Sequence, residues 1–148
     1  MSRGFLGTQA TLVADINLVL QIAMWLLLVF GVVQAKRRQY RTHAALLTAV
    51  VGLGVVLFAT VMDPAFFRAL PFILQNPGAP RPLALWTHAV LGLAGELLGA
   101  YILIATQWGK AVKEGFTPRV RWAMRLCAVL WSGALAAGVW LYYLRYMQ

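Results

Sequence analysis

The sequence predicts an all-α membrane protein, a single domain over residues 1–148 built as a four-transmembrane-helix antiparallel bundle. Composition leads there first: 61% of the residues are hydrophobic and only 11% are charged, a balance foreign to ordinary soluble domains. Four apolar runs lead there second: Thr11 to Ala35, Ala44 to Met62, Leu83 to Gln107 and Val120 to Tyr143. Each is long enough to cross a hydrocarbon core of about 30 Å. None alternates polar and apolar residues as a membrane β-strand would.

Taken in order, the first run is longer than the apolar core of a signal peptide, and no small-x-small cleavage site follows it. Helix 1 is therefore expected to stay in the mature protein. Thr42 offers its hydroxyl as the cap of helix 2. PAFFRALPFILQ, residues 64 to 75, is apolar but too short to span and is interrupted by Pro71. It is expected as a short interfacial helix between helices 2 and 3, lying in the outer interface or dipping into the membrane. NPGAPRP then forms the turn into helix 3, and Thr117-Pro118 supplies a cap and a first-turn proline for helix 4. Trp140, Tyr142, Tyr143 and Tyr146 read as an outer aromatic belt, and Trp108 with Trp122 as an inner one.

The cations set the orientation. Lys36, Arg37, Arg38 and Arg41 lie between helices 1 and 2, and Lys110, Lys113, Arg119, Arg121 and Arg125 lie between helices 3 and 4 or just inside the latter. The other side carries only Arg3, Arg68, Arg81 and Arg145. This imbalance puts both basic loops in the cytoplasm and both termini outside, as in a multi-pass membrane protein. The net charge of +9 is thereby a matter of topology, and nucleic acid is not an expected partner. The lipid bilayer is.

Chemistry of the usual kinds is missing from the sequence. The single cysteine, Cys127, excludes an internal disulfide and every multi-cysteine metal site. There is no HExxH, no CxxC and no glycine-rich phosphate loop, and the four acidic residues are scattered. An enzyme with its own complete active site is not expected.

What remains are polar residues inside apolar spans. His88 and Asn17 each sit about six residues below the outer start of their helices, roughly 9 Å deep at 1.5 Å per residue. Gln21 is one turn beyond Asn17, and Glu96 lies near the midplane at about the depth of Trp25. An ionisable carboxyl there costs at least a few kcal/mol, so Glu96 invites a role. These residues suggest a polar pocket in the outer half of the bundle with Asp15 near its mouth, and Gly92, Gly95 and Gly99 permit a neighbouring helix or a flat ligand to approach.

Each has a plain reading beside the functional one. Glu96 is either a proton relay or a neutral acid bonded to a carbonyl or to Gln21; Asn17 and Gln21 are either pocket or helix-helix contacts. His88 is either a ligand or a structural hydrogen bond, and His43 is either a cofactor ligand or an interfacial histidine. A haem held by both His43 and His88 is disfavoured by depth, since the two are separated by roughly 20 Å along the membrane normal. A single-histidine site for haem or quinone stays open.

Asn17 in ADINLVL, His43 in RTHAALL, His88 in LWTHAVL, and Trp131 with Gly138 in LWSGALAAGVWLYYL form a pattern from Thr11 to Tyr143. It resembles the CtaM-like family of small four-helix bacterial membrane proteins associated with maturation or activity of haem-copper terminal oxidases. Ala44 stands where that family usually has arginine, Leu47 where methionine is common, and PRVRWAMR carries no histidine. The resemblance implies a non-enzymatic accessory or assembly protein, or an auxiliary subunit, docked against the subunits of a larger respiratory membrane complex. The segments GLAG and GALAAG are then expected to pack against partner helices. The alternative is an electron- or proton-transfer module, with haem or quinone in the outer-half pocket at His88 and Glu96 relaying protons.

Overall fold

In the computed structural model the described residues are 4–107 and 117–147, and every regular element among them is helical. Trp108, Lys110, Lys113 and Arg3 of the sequence reading lie outside them. Thr11 opens α1 (Leu12–Lys36) by accepting a hydrogen bond from the Ala14 N–H at 3.3 Å. Asp15 in its first turn and Lys36 in its last complement the helix dipole.

The reversal into α2 (Tyr40–Leu57) is tight. Arg37 N–H, Arg38 N–H and Gln39 N–H donate back to the carbonyls of Val33, Ala35 and Gln34, and Arg38 takes a left-handed backbone with φ of 62°. This corrects the expected start of helix 2. Because the chain has already turned by Gln39, the helix begins at Tyr40 and Thr42 falls within its first turn, not at its cap.

Nor does the helix stop at Met62. A wide π-helical turn, Phe58–Met62, carries α2 directly into α3 (Asp63–Gln75), which runs through Pro71 without a break. The wide turn precedes Pro64, whose ring would collide with the carbonyl four residues back in a regular helix; opening the turn moves that carbonyl aside. Pro71 forfeits one backbone bond near the end of α3, too little to stop a helix already under way. The continuous helix Tyr40–Gln75 has 36 residues, about 54 Å of length at 1.5 Å per residue.

A turn closed by Ala79 N–H to the Asn76 carbonyl leads into α4 (Pro80–Gln107), whose first-turn prolines Pro80 and Pro82 forfeit only N–H groups that a helix start leaves free anyway. As expected, Thr117 caps α5 (Pro118–Tyr146), accepting from Val120 N–H at 3.4 Å, and Pro118 occupies its first position.

These elements contain four helices long and apolar enough to cross a membrane. α1 packs along α2 and α4 along α5; α1 with α5 and α2 with α4 close the bundle. Consecutive helices alternate in direction, so the α1–α2 turn and the start of α5 share one end, here the basic end. The start of α1 and the end of α5 share the other. Two apolar clusters fill the interior, Leu28, Leu47, Val51, Ile102 and Cys127 towards the basic end, and Met24, Val50 and Leu57 beside them, with Trp131 packed against both. Large apolar side chains such as Val90, Leu97, Ile104 and Val129 point outwards, as a bundle solvated by hydrocarbon requires.

Candidate functional site

Four polar levels are stacked along the bundle. The first seals the end opposite the basic one. Asp15 is completely buried and accepts hydrogen bonds from Tyr142 Oη–H at 2.5 Å and from the Leu6 N–H at 2.9 Å. Since Tyr142 spends its only proton on Asp15, Thr8 Oγ1 must donate to Tyr142 Oη, 2.8 Å away, and Thr8 Oγ1 itself accepts from Ala10 N–H at 3.2 Å. With Gly4 N–H bonded to the Ala10 carbonyl at 2.8 Å, residues 4–10 form a strap folded over the Asp15 carboxyl. Two expectations change here. Asp15 is the hub of a closed contact and not the mouth of a pocket, and Tyr142 is turned inwards and buried while Tyr143 and Trp140 are exposed. The carboxyl is the reason: it is the acceptor that draws the phenol in.

About 9 Å deeper, measured from Asp15 to Gln21 along α1, α1, α4 and α5 meet at Gly138. His88 Nδ1 lies 2.8 Å from the Ala134 carbonyl, and a carbonyl only accepts, so Nδ1 carries the ring proton. Among the described residues its Nε2 has no hydrogen bond. A Cβ at Gly138 would stand 2.9 Å from the His88 ring and 3.4 Å from Gln21 Oε1. His88 and Gln21 thus both face Gly138. Asn17 lies one turn above Gln21 with its Oδ1 buried and without a hydrogen bond.

The seat of His88 makes a prediction. Gly138→Ala places a methyl where the ring already is and is expected to push His88 off the Ala134 carbonyl, at a cost of about 1–3 kcal/mol. Adding His88→Ala should recover most of the loss, and thermal unfolding of the two single variants and the double variant in detergent reads it. Strictly additive losses would show that the imidazole is not the obstacle.

Glu96 belongs to a third level, eight residues and about 12 Å further along α4. It does not join His88 and Gln21. Its Oε2 would be 2.5 Å from a Cβ at Gly54, where Trp131 Cη2 also lies within 3.1 Å, and its Oε1 is buried without a hydrogen bond. The bond to Gln21 considered from sequence is therefore not made. Nearby, Cys127 Sγ–H donates to the Gly95 carbonyl at 3.5 Å, and Trp25 Nε1–H donates to Ser132 Oγ at 3.0 Å, tying α1 to α5.

His43 forms the fourth level near the basic end. It is buried in α2, with Nδ1 2.9 Å from the Gly31 carbonyl on α1. The ring lines a cavity of about 30 Å³ with Leu28, Val32, Leu47, Met124 and Cys127, space on the scale of a single water and far below that of a haem or quinone. Gln21, level with His88, and Gly31, level with His43, are ten residues apart on α1, about 15 Å. One iron cannot take both imidazoles.

The small residues are spent inside the chain. Gly95 faces Trp131 and Leu130, Gly92 faces Ala134, Gly99 faces Val51 and Cys127, and Gly133 faces Leu91. GLAG and GALAAG thus pack chiefly against one another's helices, which corrects the expectation that they serve a partner: two hairpin helices linked in sequence reach such a seam first. The Asp15–Tyr142–Thr8 network was the feature sequence reading missed. Its signal was a carboxyl at the start of the first span and a phenol at the end of the last, both at one end of the bundle. Compared with known proteins, the chain matches no family model, no curated protein sequence and no solved structure.

Proposed function

We propose that this chain is a non-enzymatic accessory or auxiliary subunit of a larger respiratory membrane complex, and that the complex is a haem-copper oxidase. One observation carries the first half of the reading: four polar contacts inside the spans join one helix to another. Asp15 holds Tyr142, His88 holds Ala134, Trp25 holds Ser132 and His43 holds Gly31. Such contacts make a rigid bundle, and a rigid bundle with wide apolar flanks suits docking in lipid. The oxidase enters through the resemblance carried by Asn17, His43, His88, Trp131 and Gly138. In this reading the basic end faces the cytoplasm of a bacterial cell, both termini face outwards, and α3 lies at the outer interface. The length of Tyr40–Gln75, about 54 Å, supports that placement, because a hydrocarbon core of about 30 Å cannot hold it upright.

The test is a tagged chain expressed at native level, extracted in mild detergent, with its companions identified by mass spectrometry. Oxidase subunits in stoichiometric amount are expected. A chain that runs alone in every gentle detergent would sink the proposal.

A second reading, a membrane electron- or proton-transfer module, rests on His88. With Nδ1 fixed by a backbone carbonyl, the ring is oriented as metal- and quinone-binding histidines are, with Nε2 left for a ligand. Glu96 would relay protons, and Glu96→Gln would slow turnover without loss of folding. A reduced-minus-oxidised absorption spectrum of the purified chain, with extraction of bound pigment and quinone, decides between the two readings.

A further inference from the structure

The α1–α2 turn contains a conformation its sequence does not favour. Arg38 is the one non-glycine residue with positive φ among those described, 62°. That position follows the end of a helix, where glycine or asparagine is the usual occupant because a Cβ is strained there. The chain uses 13 glycines elsewhere but puts arginine here. Residues held in such backbone cluster at functional sites, which directs attention to the Arg38 side chain.

Its surroundings point to its role. Lys36, Arg37, Arg38 and Arg41 crowd the turn, and Arg119, Arg121 and Arg125 open α5 at the same end of the bundle; all seven are exposed. The described acids are Asp15, Asp63 and Glu96, none of them at this end, and among the described residues none of the seven side chains is in an ion pair. Membrane topology accounts for cations on this side of the bundle, but an arginine at any unstrained loop position would satisfy it equally. It does not account for Arg38.

We propose that the α1–α2 turn and the start of α5 form a binding site for the phosphodiester headgroups of anionic phospholipids, with Arg38 as its central ligand. Guanidinium groups match phosphate oxygens in paired hydrogen bonds, and six of the seven cations are arginines. Arg38 stands at the tip of the hairpin, with Lys36 and Arg37 before it and Arg41 after it in the chain. Lipid is the occupant because the turn ends two apolar spans and so lies at headgroup level. The proposal is independent of which complex the chain serves.

The experiment uses the full chain in nanodiscs of phosphatidylcholine, with and without phosphatidylglycerol, reading thermal unfolding and the relative association of spin-labelled lipids. Wild type should prefer phosphatidylglycerol and be stabilised by it, less so at high salt. Arg38→Gly should move the two readouts in opposite directions: greater stability than wild type in pure phosphatidylcholine, because strain is released, and about fivefold weaker preference for the anionic lipid. Arg38→Asn should follow glycine. An unchanged lipid preference in Arg38→Gly overturns the proposal, as does a variant less stable than wild type in phosphatidylcholine. Inorganic phosphate giving the same stabilisation without anionic lipid also overturns it, by assigning the site to a soluble anion.

Discussion

Gly54→Val is expected to destabilise the bundle by about 3 kcal/mol, at the upper end of what overpacking a core costs. The first atom added, Cβ, would lie 2.5 Å from Glu96 Oε2 and 3.1 Å from Trp131 Cη2, before either branch of valine is placed. Real side chains do not tolerate the first distance. The carboxyl must swing or α2 must retreat from α4. The alanine variant separates these, since Ala in place of Gly favours a helix by up to about 1 kcal/mol when nothing is in the way. Gly54→Ala should nevertheless destabilise, and Glu96→Ala in the same chain should reverse much of the effect, leaving only the tighter approach to Trp131. A coupling of about 1–3 kcal/mol in this cycle, measured by unfolding in detergent, is the expected result. Additive single effects would mean that Glu96 does not occupy the space against Gly54. The same cycle bears on Glu96 itself: a carboxyl with one buried, unbonded oxygen and a glycine against the other is located by packing, whatever further role it serves.

Asp15→Ala is expected to detach the strap. That residue accepts from Leu6 N–H and from Tyr142, and through Tyr142 it orders Thr8 and Ala10. Removing it leaves two donors, Leu6 N–H and Tyr142 Oη–H, without an acceptor, and bonds in such a chain strengthen one another. Tyr142→Phe removes only one arm and keeps Leu6 bound, so its effect should be smaller, and Thr8→Ala smaller again. Amide exchange at Leu6 reads the order: at least about tenfold faster in Asp15→Ala, less in Tyr142→Phe, least in Thr8→Ala. Equal exchange in all three would place the strap's stability elsewhere.

Much of this architecture was legible in the sequence because hydrocarbon thickness is a strict ruler. Run length and apolarity gave four spans, and Thr117-Pro118 fixed the start of α5 to the residue. Rotation was not legible. A helix apolar on every side carries little pattern to say which face meets its neighbours, so Glu96 could equally have faced Gln21, lipid or a partner; packing against Gly54 and Trp131 decided it. Tyr142 illustrates the same gap, since aromatic residues at a span's end suit an interface until a buried acceptor claims one. Pro71 interrupts nothing, because the wide turn before Pro64 and the length already formed sustain the helix through it. Of the candidate site, the pairing of His88 with Gln21 followed from depth, whereas the separation of Glu96 by about 12 Å followed from its own register on α4.

The unbroken run from Tyr40 to Gln75 has a mechanical meaning. α3 is a stiff arm about 20 Å long, joined to α2 without a loop. A lean of α2 by about 10° would carry the tip of that arm some 3 Å further sideways than its base, by simple leverage on the arm's length. Leu74, near that tip, is 67% exposed and free to touch whatever lies beside the bundle. A small change in how α2 stands among its neighbours is in this way enlarged into a displacement at the far end of the helix, which makes α3 the pointer of the molecule and α2 its axle.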